Sequence, residues 1–160
     1  DPKRGKTHGS VLRKRIQDAL QSEGFEVVLG EDESIVNPDT RYIGVNVQDS
    51  ELEFIATYCN SLVLVADSVG SFCELGLFSW HFSHEEGIFE NIDFMLLVDQ
   101  KFETPPSYLN EGPAQAVSGH GRLDFVDFEN YDASHVVNRM KARRGTRTVD
   151  RRGRPRKQRS

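Results

Sequence analysis

Hydrophobic residues recur along this chain in two rhythms that alternate with each other. Val11, Leu12, Ile16, Ala19 and Leu20 fall at helical spacing and predict a helix over 11–22, capped by Ser10 and stopped by Gly24. "FEVVL" (25–29) then reads as a strand, and residues 30–47, with acids, Pro38 and Gly44 but no sustained period, as a long loop. A second helix is expected over 49–60, with Ser50 and Glu53 at capping-box spacing. "LVLVA" (62–66) and "FMLLV" (94–98) are short continuous apolar runs, the mark of strands covered on both faces. Helices over 72–82, 108–117 and 132–144 and a strand over 123–128 complete the pattern, with Pro113 tolerated in a first turn.

Helices alternating with buried strands predict an α/β fold, flavodoxin- or Rossmann-like, with a mainly parallel sheet and helices on both faces. Such sheets place their first strand centrally, beside the topological switch point. Here a polar stretch and a helix come first, so the expected fold lacks its first strand in this chain. Ligands of such folds bind outside the carboxyl ends of the strands. Asp67 stands at one such end.

Charge divides the chain in two. Residues 139–160 hold eleven Lys/Arg and one acid, Asp150, whereas residues 1–138 hold nine Lys/Arg and twenty-four Asp/Glu. The predicted organisation is an α/β domain over 1–138 followed by a flexible basic tail over 139–160. Within the tail, Arg152-Gly153-Arg154-Pro155 matches the centre of an AT-hook, whose extended arginines enter the A·T minor groove, and Arg156 extends the match. A disordered tail making only salt-sensitive phosphate contacts fits the same composition. DNA is the partner this composition suggests, and a homo-oligomer stays open.

At 37% hydrophobic and 28% charged, with no apolar run near 18 residues, the composition predicts a soluble chain without a membrane span. The chain opens on no secretory signal. Cys59 and Cys73 fit neither a disulfide framework nor a zinc site, and read as reduced, buried thiols of a cytoplasmic protein. His81 and His84 lie three apart, but no further His or Cys completes a ligand set, so no metal site is predicted. Arg4-Gly5-Lys6-Thr7 matches only the end of a phosphate-binding loop, a weak signal without the preceding glycine and strand.

The chemistry concentrates in "VADSVGSFCELGLFSW" (65–80). Gly70 and Ser71 shape a turn after the strand, and Glu74 is expected in the first turn of the next helix, where the dipole favours its ionised form. An ionised carboxylate there is placed to attack, or to stabilise, the anomeric carbon of a ribose. Ser71-Phe72-Cys73-Glu74 is equally a capping box, in which Glu74 returns to the Ser71 amide. The spacing allows both. In the long loop, Tyr42 and Arg41 are suited to a nucleobase or phosphate, although a solvated loop is the commoner case.

"LEFIATYCNSLVLVADSVGSFCELGLFSW" resembles the nucleoside 2-deoxyribosyltransferase-like proteins, in particular the variants found as effectors of bacterial retron anti-phage systems. It matches TIR-type NAD hydrolases less closely. The resemblance covers roughly residues 10–130. It implies that Glu74, in Glu74-Leu75-Gly76, is the glycosyl nucleophile and Asp67 the acid orienting the ribose. "GED" (30–32), with Asp32, matches an acidic turn after the family's second strand. The implied activity is cleavage or transfer at the N-glycosidic bond of a nucleoside, nucleotide or NAD. It requires no cofactor, because NAD or the nucleotide is substrate. A nucleotide-sensing module without catalysis, tethered to DNA by the tail, is the alternative.

Overall fold

The computed structural model describes residues 7–31, 46–84, 89 and 91–153, with side chains described as far as residue 146. Three parallel strands form the sheet: β1 (Ser61–Ala66), β2 (Asp93–Asp99) and β3 (Arg122–Val126), in the order β1-β2-β3. Leu64 lies opposite Leu96, and Leu96 opposite Leu123. The helices are α1 (His8–Ser22), α2 (Val47–Tyr58), α3 (Val69–Ser83), the short α4 (Tyr108–Glu111) and α5 (Pro113–Ser118), and α6 (Ser134–Gly153). This is the expected α/β architecture.

Period-two alternation divides the core into two layers. Leu64 and Ala66 of β1, with Phe94, Leu96 and Val98 of β2, face α2, α3 and α5. Val65, Met95 and Leu97 point the other way, onto Leu12, Ile16 and Leu20 of α1 and Val136, Val137 and Met140 of α6. Phe94–Val98 is buried on both faces, which is why it reads as an unbroken apolar run.

The helix starts differ from those expected. Thr7, not Ser10, caps α1 by accepting from the Ser10 amide at 3.1 Å. Asn46, not Ser50, caps α2 through the Asp49 amide at 2.9 Å, and Ser50 is buried one turn inside. Pro113 takes the first position of α5, where its missing N–H costs nothing. Cys59 is half-buried but Cys73 is exposed, so the expected pair of buried thiols is reduced to one.

Two segments depart from the sequence reading. Residues 25–29 form no ladder among the described residues. Their apolar residues line a cleft whose opposite bank is β1. Residues 139–153 continue α6 as helix, where a flexible tail was expected from 139. Met140 is buried against α1, and Arg139 and Arg143 both reach Asp93, at 2.6 and 3.2 Å.

Candidate active site

Ser68 caps α3 and exchanges hydrogen bonds with Ser71: the Ser71 amide donates to Ser68 Oγ, and the Ser68 amide to Ser71 Oγ. The capping box is thus Ser68–Ser71, not Ser71–Glu74. Helix α3 begins three residues earlier than expected, which puts Glu74 in its second turn, free of any capping duty. The Asp67 amide also donates to Ser71 Oγ, at 3.0 Å, fixing the exit from β1 to this helix start.

Glu74 lines a cleft of about 760 Å³ beside the edge of β1 that pairs with no strand among the described residues. Arg13 of α1, Glu31 and Glu51 of α2 are among the charged side chains that share the cleft, with Glu26, Arg143 and Arg144. Arg13 Nη2 donates to Glu31 Oε1 at 2.8 Å. Glu51 presses its carboxyl against Gly30, where a Cβ would meet Glu51 Oε1 at 2.7 Å. A side chain at position 30 would push that carboxyl aside.

Burial, then the charges of Glu74 and Glu31, push the Glu51 carboxyl up to about 7. Burial also raises Glu74 above its ordinary value, opposed by Arg13 and reinforced by Glu31. Desolvation thus outweighs the lowering expected from the helix dipole. The charge of Glu74 adds to the rise at Glu51, which holds its proton up to about 7. One carboxylate beside one carboxylic acid is the arrangement used for acid-assisted cleavage of a glycosidic bond.

The other expected site residues are dispersed. Asp67 accepts from Thr7 Oγ1 at 2.5 Å and packs on Gly9, outside the cleft lining. Ser71 lines the cleft, but its hydroxyl is engaged in the cap. Gly70 sits in the first turn of α3 beside Ser68 Oγ, away from the lining. Asp32 and Tyr42 lie outside the described residues, as do Arg154 and Arg156. Arg152 falls within α6, so the backbone there is helical and not the extended form of an AT-hook.

Sequence reasoning missed Glu51, Arg13 and Glu31. A signal for Glu51 was present: it stands one turn before Ile55 on the buried stripe of α2, an unusual place for a carboxylate. Among the described residues, no group of three His, Cys, Asp or Glu is arranged to hold a metal ion. No helix among them is long and apolar enough to cross a membrane.

The model of the STM3845 retron effector protein family matches residues 9–158. The chain belongs to that family. No curated protein and no solved structure matches it. Membership in a retron effector family points to a role in anti-phage defence. It accounts for the retron part of the sequence resemblance, while the match itself carries neither the deoxyribosyltransferase-like nor the TIR-type assignment.

Proposed function

We propose that this retron effector breaks the N-glycosidic bond of a nucleoside, nucleotide or NAD. The observation that carries the reading is the shared cleft of Glu74 and Glu51, in which burial raises both carboxyls. Ionised Glu74 attacks the anomeric carbon as the bond to the base breaks; with a nucleoside or nucleotide, protonated Glu51 gives its proton to the departing base, whereas nicotinamide leaves NAD as a neutral base and takes none. Water then attacks the glycosyl ester and releases Glu74, losing its proton to the Glu51 carboxylate or, with NAD, to solvent. Arg13 opposes the burial that raises Glu74 and so favours its ionised form.

Release of free base from NAD and from a nucleoside panel, followed by chromatography, tests the proposal. Wild type is expected to release base, Glu74→Gln to lose at least about 100-fold on every substrate, and Glu51→Gln to lose as much on nucleosides. Equal release by all three proteins overturns the assignment. A ligand that raises Tm without being consumed supports the sensing alternative instead.

A further inference from the structure

Helix α3 is uncharged on the side it turns to solvent. Leu75 and Phe78 pack into the core, and Ser71 and Glu74 line the cleft. The outer side carries Val69, Cys73, Gly76 and Trp80, all exposed, Val69 at 82% and Trp80 at 51%. At 3.6 residues per turn these four fall within about 60° of arc, a single stripe. Glu74 is the only Asp, Glu, Lys or Arg in α3, and it faces the cleft, away from the stripe. A helix apolar on every side is normally an enclosed one.

The order of residues along the stripe identifies the cover. Two bulkier residues flank two small ones at spacings of four, three and four, a pattern that reads the same in both directions. A two-fold axis between Cys73 and Gly76 sets Val69 against the partner's Trp80 and Cys73 against the partner's Gly76, each contact occurring twice. Such self-complementarity is what an isologous contact requires. A Cβ at Gly76 would meet nothing within 4 Å, so two helices can close to about 8 Å at the crossing. Trp80 supplies the anchor. His84 stacks on its indole with ring centroids 4.6 Å apart, holding the side chain in place before contact.

Charge favours the same occupant. Residues 1–138 hold nine Lys/Arg and twenty-four Asp/Glu, so two copies repel over most of their surface and approach best through a face free of charge. A nucleic acid or a basic protein would be met by charged side chains, which the stripe lacks. We propose that two copies of this chain pair antiparallel through the outer face of α3, across Cys73 and Gly76. The 15 residues of α3 are about 22 Å long, and one helix pair buries less than the roughly 800 Å² per partner of a standard interface. The dimer therefore forms at micromolar concentration.

Sedimentation velocity over roughly 1–200 µM tests the proposal. Wild type is expected to pass from monomer to dimer across that range. Trp80→Glu and Gly76→Glu, both at exposed positions, are expected to raise the dissociation constant at least about 10-fold with little change in Tm of the monomer. A monomer throughout the range, or a dimer as tight in both variants as in wild type, overturns the proposal. Cys59→Ser leaves Cys73 as the sole cysteine, and the two-fold axis puts it within about one helical turn of its mate. A short bis-maleimide is then expected to join the two copies, and a sedimenting dimer that it fails to join overturns the register. No readout involves base release, so this inference and the glycosidase reading fail separately.

Discussion

Arg139 forks onto Asp93, its Nε donating to Oδ2 at 2.8 Å and its Nη2 to Oδ1 at 2.6 Å. The Asp93 side chain is only 8% exposed, so the contact ties the middle of α6 to the first residue of β2. Bidentate geometry makes this the strongest class of ion pair, and removing one partner strands a buried charge. Arg139→Ala is expected to cost about 3 kcal/mol, the low end for such a loss, because Arg143 stays near Asp93. Denaturant unfolding checks the value. Truncation after Gly153 is expected to leave Tm nearly unchanged, whereas truncation before Arg139, which also removes buried Met140, is expected to unfold the domain.

The pH profile carries the signature of the carboxyl pair. Glu51 must hold its proton to act as acid, so kcat/KM on nucleosides is expected to fall as pH rises through about 7. The acid limb follows Glu74 and lies above the ordinary carboxylate value of 4.5. Stability follows the same group. A carboxyl with a raised folded pKa binds its proton more tightly in the folded chain, so its contribution is fully present below about 4.5. That contribution is lost as pH climbs to about 7. Glu51→Gln is expected to raise Tm at pH 8 and to change it little at pH 4. A Tm difference independent of pH contradicts the assignment.

Gly30 tests the placement of Glu51 without touching either carboxyl. An added methyl meets the mobile end of the Glu51 side chain, which can swing away at small cost in stability. Gly30→Ala is expected to lower base release about 10-fold or more while shifting Tm by no more than a few degrees. Steady-state kinetics and a melting curve on one preparation separate the two effects.

Gly9 meets a harder neighbour. A Cβ there would lie 2.2 Å from Asp67 Oδ2 and 2.7 Å from Asp67 Cβ, an atom that cannot move without the backbone. Gly9→Ala is expected to destabilise the chain by about 1–3 kcal/mol, as overpacking does. Chemical denaturation measures it.

The sheet was legible because parallel strands buried on both faces cannot hide their composition: "LVLVA" and "FMLLV" are β1 and β2 almost to the residue. Helix starts were less so. Ser, Thr and Asn compete as caps, and Ser10 and Ser50 lost to Thr7 and Asn46 through a register set by tertiary packing. "FEVVL" has strand composition but pairs with no strand among the described residues, and a ladder is a property of pairs. Glu74 was found because its turn is local. Glu51 was not, because its neighbours Gly30 and Glu74 stand 21 and 23 positions away and only folding brings them to it.

The reciprocal serines at the mouth of α3 have an evolutionary corollary. They leave Glu74 out of the helix cap, so on the proposed mechanism a single-base change from a Glu to a Gln codon removes the nucleophile without touching the helix start. On that mechanism a lineage under pressure from its own weapon disarms it in one step and keeps a folded copy, and the reverse step rearms it.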